Sequence, residues 1–270
     1  MILACVAVAA PLLGTVDPSL FDAASRDLRP GQAGEITNLD GETVRHRFLM
    51  GSDSFGRDIY SRVLYGTRVS LLVGIASALV ALSFGILCGL SAGYLRWLDG
   101  MLMRVMDGVM AIPAILIAIA LVALWRPSLS TVVLAIAIPE IPRVTRLVRS
   151  LVLSLREEPY VEAAVSLGSS TAKIMFGHIL PNTVAPLIVQ GTYIVGFSIL
   201  IEAILSFLGV GLPPDIPTWG NIMSEGRVQF VGYPHNVFFP GVFLAVTVLA
   251  VNMLGDGLRD TLDPKMAKRV

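Results

Sequence analysis

The chain has 270 residues, of which 54% are hydrophobic and only 15% are charged. A soluble domain would carry roughly 25% charged residues, so the composition excludes an ordinary water-soluble fold and predicts an all-α, polytopic membrane protein. Twenty basic residues balance twenty acidic ones, which removes the charge excess expected of a nucleic-acid binder. Cys5 and Cys88 lie far apart in apolar runs and suggest no disulfide framework.

A spanning helix needs about 20 mainly apolar residues. Met1–Val16 is shorter and has no basic leader region, so it reads as the outer part of a first spanning helix, a cleaved signal peptide being the alternative. Asp17 to Arg68 follows, with turn signals at Pro18, Pro30, Gly31, Gly34, Asn38, Asp40 and Gly41 and no clear periodicity. It ends in Gly51-Ser52-Asp53-Ser54-Phe55-Gly56-Arg57-Asp58, then Ile59, Val63 and Leu64 at helical spacing. Asp58 and Arg62 stand in a favourable order for an ion pair along a helix. This segment is expected to be an amphipathic interfacial helix rather than a substrate contact.

Val69–Leu95 is the second, uncharged span. The third is Gly108–Trp125, full length with Val105–Asp107 included; it carries Asp107 near its start and Pro113 in its interior, where a kink is expected. Pro127–Pro139 becomes a fourth span if the helix continues past Glu140. Arg143, Arg146 and Arg149 then form a stripe suited to lipid phosphates or to an acidic partner surface. Ile179–Ile201 is the fifth span, with Glu202 just beyond, either a pathway group or a buried structural hydrogen-bonder. A turn-rich outer loop, Pro213 to Gly220, precedes the last span, Asn236–Gly255. The working count is therefore six spans. With the amino end inside, the inner segments Arg96–Arg104, Arg143 to His178 and the tail after Asp256 hold eleven of the twenty Lys and Arg, as the positive-inside rule prefers.

Between the fourth and fifth spans sits a polar island. Glu157 and Glu158 precede Pro159, which suits a first helical turn. Tyr160, Val161, Ala164 and Val165 make an apolar face, with Glu162 and Ser166 off it, and Gly168 ends the helix. Ser169 or Ser170 can cap a second short helix carrying Lys173, Ile174 and Phe176, before Pro181 opens the fifth span. Small Ala163, Ala164 and Gly168 let another surface come close. A membrane bundle has no need of such a hairpin to fold, and a soluble partner could grip it. No phosphate-binding glycine loop is present, His46, His178 and His235 lack metal-ligand spacing, and no nucleophile–base set is visible.

Glu162-Ala163-Ala164, Gly168 and Leu180-Pro181 resemble the signature of the permease subunit of binding-protein-dependent ABC importers (type I), and His178 in place of the general isoleucine is similar to the dipeptide/oligopeptide/nickel branch, C-type subunit. Similar to that branch as well are Gly51-Ser52-Asp53 through Ser70, Ser206-Phe207-Leu208-Gly209, Trp219-Gly220 with Glu225-Gly226-Arg227, and Leu254-Gly255-Asp256 through Leu262-Asp263-Pro264. The resemblance divides the chain into 1–68, a partial first helix and outer segment; 69–264, the permease domain with a coupling loop at 156–181; and 265–270, a cytoplasmic tail. It implies a bacterial inner-membrane protein paired with a homologous permease, two cytoplasmic ATPase subunits and an extracytoplasmic binding protein. Tyr160, Glu162, Ala163, Ala164, Ser166, Gly168, Lys173 and Pro181 would contact the ATPase, and Asp107, Pro113 and Glu202 would belong to the substrate pathway. ATP and Mg would sit on the partner subunits, with no cofactor on this chain and no enzymatic activity of its own. Peptides are the expected cargo, and nickel, opines or sugars are alternatives. A stand-alone secondary transporter would instead show paired inverted repeats and several buried charges, and no repeat is seen.

Overall fold

The computed structural model describes residues 2–37 and 41–262. Asn38 and Asp40 of the expected turns, Asp263-Pro264 of the last motif, and the tail with Lys265, Lys268 and Arg269 lie outside them. The elements run α1 (Ile2–Ala9), β1 (Ala33–Thr37), β2 (Thr43–Arg47), α2 (Ile59–Tyr94), α3 (Arg96–Met110), α4 (Ala114–Leu124), α5 (Leu129–Leu155), α6 (Pro159–Ser166), α7 (Thr171–Lys173), a π turn (Ile174–Ile179), α8 (Leu180–Phe207), α9 (Trp219–Gly226) and α10 (His235–Leu262). Among the described residues, three helical stretches are long and apolar enough to cross a membrane: α2, α7 through α8, and α10; the pair α3–α4 makes a fourth if it counts as one span. Helix α5 has the length, but Glu140, Arg143, Arg146 and Arg149 interrupt its apolar run. Leu79, Phe84 and Leu87 on α2, and Val246 and Leu249 on α10, are more than half exposed, the outward apolar surface that lipid rather than water would cover.

The contacts define two compact units, neither a continuous stretch. One comprises the chain up to Gly74, Val122–Val132 and Ile199–Leu249; the other comprises Ile75–Leu121, Val133–Ser198 and the chain from Ala250.

In the first unit the segment read as irregular contains an antiparallel hairpin, pairing Ala33 with Arg47 and Thr37 with Thr43. Its alternation is masked because only Ile36 is buried on β1 and no residue is buried on β2. The expected interfacial helix is instead the start of α2, with Ile59, Val63, Arg62 and Asp58 all buried. Asp58 and Arg62 do not pair. The Asp58 carboxylate accepts from the Ser61 backbone N–H at 2.9 Å, a capping role, while Arg62 turns to Glu225, 3.3 Å away on α9. The Glu225 carboxylate also accepts from Arg57, which donates to Asp53 as well, at 2.6 Å. Burial pushes the Glu225 carboxyl above the usual glutamate range, with Arg62 and Arg57 pulling it back. Trp219, fully buried, donates its indole N–H to the Val63 carbonyl at 3.1 Å. The motif residues at Gly51–Arg62 and Trp219–Glu225, far apart in sequence, thus build one buried polar cluster.

Glu202 lies inside α8, fully buried, and accepts from the Ser206 hydroxyl at 2.8 Å. Asn221 steadies the loop that follows, its amide donating to the carbonyls of Leu212, Pro213 and Ile216 at 2.9–3.2 Å.

In the second unit Arg96–Arg104, expected as a loop, is the first part of α3. The third span is not one kinked helix: α3 and α4 are bent by 86° at Ala111–Pro113. Proline lacks the N–H that would continue the ladder and pushes Ile112 out of the α region, so the break falls there. Helix α5 runs through Pro139 and Pro142, as its continuation past Glu140 requires. The arginine stripe meets carboxylates of its own chain. Arg143 pairs with Glu140 at 3.1 Å, Arg146 with Asp107, and Arg149 with Asp99 through two contacts at 2.5 and 2.6 Å.

Candidate coupling site

The polar island is seated in the second unit. Glu158 holds extended backbone angles (φ −77°, ψ 141°) and its carbonyl accepts from Val161 and Glu162, so α6 starts at Pro159. Its end is a Schellman closure: Gly168 has φ +76°, its N–H donates to the Val165 carbonyl at 2.9 Å, and Ser169 N–H donates to Ala164 at 3.0 Å. Ser170 then caps α7 by accepting from Lys173 N–H at 3.4 Å. No atom lies within 4 Å of the position a Cβ on Gly168 would take, so glycine is required there by the backbone angle and not by crowding.

Val161 and Ala164 are the buried side of α6, joining a core cluster with Val152, Ile174, Met175 and Ile179. Burying a valine contributes about 1.5–3 kcal/mol toward holding this helix of eight residues in place. The apolar face is narrower than its sequence pattern: Tyr160 and Val165 are 41% and 53% exposed. Glu162, Ala163, Ser166 and Gly168 are exposed, as are Lys173 on α7 and Pro181 at the second position of α8. The structure therefore gathers these residues on one hairpin and leaves them exposed. Partial burial, then the nearby Glu158 charge, pushes the Tyr160 phenol above its usual range, keeping it protonated.

Leu167 and the adjoining Asn182 escaped the sequence pattern, and Phe176, expected on the second short helix, joins them at this hairpin. Leu167 is 86% exposed at the tip and Phe176 is half exposed; both are apolar residues off the buried helical stripe. Asn182 donates to the His178 carbonyl at 2.7 Å and to the Tyr160 hydroxyl at 3.2 Å. The other candidates are placed elsewhere. Asp107 is engaged by Arg146 and Pro113 sits exposed at the α3–α4 break, while Glu202 belongs to the first unit. Among the described residues no group of His, Cys, Asp or Glu is arranged to hold a metal ion.

The fold resembles that of an ABC-transporter membrane subunit. A chain of the inward-facing methionine ABC transporter MetNI superposes with a TM-score of 0.61 at 17% identity, over 75% of this chain and 96% of that one. Residues 81–268 match the family described as binding-protein-dependent transport system inner membrane component. A probable peptide ABC transporter permease of Sinorhizobium fredii is 46% identical over 97% of this chain and 85% of its own length. A dipeptide transport system permease of Alkalihalophilus pseudofirmus is 48% identical over 84% and 75%. A glutathione transport system permease of Pectobacterium atrosepticum is 47% identical over 80% and 72%. The chain belongs to the binding-protein-dependent transport family: it is a multi-pass membrane permease subunit of an ABC importer.

Proposed function

We propose that this permease carries small peptides and is driven through the hairpin 156–181 by a cytoplasmic ATPase. The observation that carries this reading is the seating of α6: Val161 and Ala164 anchor one side in the core while Glu162, Ala163, Ser166, Leu167 and Gly168 stand open on the other. A rigidly held, exposed edge of small and polar residues with one apolar knob fits a cleft on a soluble subunit. Tyr160, Lys173 and Pro181 flank that edge. The cargo class follows the names of the relatives, whose peptide, dipeptide and glutathione substrates are all short peptides.

In this reading a homologous permease completes the pathway as a heterodimer in the bacterial inner membrane. Two ATPase subunits bind and hydrolyse ATP with Mg, an extracytoplasmic binding protein delivers cargo, and the chain itself carries no cofactor. Asp107, Pro113 and Glu202 are the proposed pathway residues. Of these, Glu202 is the sharpest candidate, because a buried acid in a membrane helix is costly to keep. Glu202→Ala is expected to lower uptake while assembly persists; unchanged uptake removes it from the pathway. For the coupling site, replacing Glu162 or Gly168 is expected to reduce both co-purification of the ATPase and ATP-dependent peptide uptake. If both survive intact, the coupling reading fails.

A further inference from the structure

Helix α7, the π turn and α8 form one continuous helical stretch, Thr171–Phe207, which is widened at Ile174–Ile179. The cause is local. Pro181 has no N–H to give and its ring would collide with the carbonyl four residues back, Gly177; widening the turn relieves this, and Leu180 N–H reaches back five residues to the Met175 carbonyl. Such π turns insert one residue's worth of helix, and closing one rotates everything beyond it by about 100° and shifts it by about 1.5 Å.

At the head of α8 one side chain spans this irregularity. The Asn182 amide has two N–H donors, and both are used: one goes to the His178 carbonyl within the π turn at 2.7 Å, the other to the Tyr160 hydroxyl on α6 at 3.2 Å. Tyr160 follows the first residue of α6 and its hydroxyl is the polar link between α6 and α8, whereas Val161 and Ala164 contribute only apolar contact. We propose that Asn182 is a positioning residue for energy coupling: it clasps α6 to the π turn so that the hairpin and α8 move as one body. The inference rests on the reading of α6 as the ATPase contact. It adds that motion reaching α6 is passed to the membrane helix through the Tyr160–Asn182–His178 clasp, and that slack in the clasp wastes ATP.

The test uses the complete complex in proteoliposomes and measures peptide uptake per ATP hydrolysed. Asn182→Asp has nearly the same shape but cannot donate to the His178 carbonyl; Tyr160→Phe keeps the ring and deletes the hydroxyl. Each is expected to lower uptake per ATP roughly threefold to tenfold, and the double variant is expected to be no worse than the poorer single one, because both cut the same path. Unchanged coupling in both single variants, or losses that multiply in the double variant, overturns the proposal. Should Asn182→Asp disturb folding, Asn182→Ala, which deletes the amide and leaves the ATPase-facing residues intact, decides in its place. Failure of the clasp is distinguishable from failure of the ATPase contact. In the first case the Gly168 variant still loses the ATPase while Asn182→Asp couples normally; in the second the Gly168 variant keeps both ATPase and uptake.

Discussion

Val148 of α5 occupies the space that a side chain on Gly89 of α2 would need: a Cβ placed on Gly89 would lie 2.5 Å from the Val148 Cβ and 2.8 Å from the Thr145 carbonyl oxygen. Gly85 stands in the same relation to Val144, and Gly93 to Val152 at 2.6 Å. Glycines and valines four apart therefore form facing stripes, the small-against-large packing by which membrane helices approach closely without a hydrophobic drive.

Gly89→Ala is accordingly expected to destabilise the subunit by about 1–3 kcal/mol, although alanine is intrinsically the better helix former. Gly100→Ala on α3, where nothing lies within 4 Å, is expected to stabilise by up to about 1 kcal/mol. Thermal unfolding in detergent reads both; equal effects would refute the stripe.

The arginines of α5 should not be equivalent. Asp99 holds Arg149 by two contacts with side chains 27% and 31% exposed, whereas Asp107, paired with Arg146, is 59% exposed. Bidentate, half-covered pairs outlast open ones. Asp99→Asn is expected to cost about 1 kcal/mol and Asp107→Asn less than about 0.5 kcal/mol, with the gap narrowing in high salt, as denaturation at low and high ionic strength would show.

Much of this was legible in the chain. The polar island could be read because caps are local chemistry: Pro159, Gly168 and Ser170 act within four residues of themselves. The positions of α2, α8 and α10 followed from uncharged length. What escaped depends on partners distant in sequence. Asp58 and Arg62 looked like a pair by spacing, yet Glu225 sits more than 160 residues away from Arg62 and takes it. The stripe of Arg143, Arg146 and Arg149 suited lipid phosphates or a partner surface, because nothing local says that α3 brings Asp107 and Asp99 to meet the last two. The β-hairpin was invisible because a single buried residue, Ile36, across both strands leaves no alternation to read. The π turn and the Asn182 clasp were likewise hidden: an asparagine after proline is equally at home in water.

The Glu225 cluster gives the largest expected stability effect. Removing the shared carboxylate with Glu225→Leu leaves Arg62, 1% exposed, with no acidic partner while Arg57 keeps Asp53. Stranding a buried charge costs about 3–5 kcal/mol. Adding Arg62→Met should recover most of that loss, since the stranded charge and not the missing bond is the main penalty. A double variant no more stable than Glu225→Leu would show that the cost arises elsewhere.

Leu167 separates folding from docking. At 86% exposure it contributes little to the core, and as the residue that leads into Gly168 it holds no hydrogen bond by its side chain. Leu167→Ser is therefore expected to leave the melting temperature of the isolated subunit within about 0.5 kcal/mol equivalent of the parent. The same change removes an apolar knob of the size that anchors interfaces, where truncation of a central contact costs about 2 kcal/mol or more, so retention of the ATPase during purification should fall by more than tenfold. The two measurements move apart only if the tip is a docking surface. A variant that melts early would place Leu167 in the fold, and one that keeps its ATPase at full stoichiometry would place the contact on Glu162 and its neighbours alone.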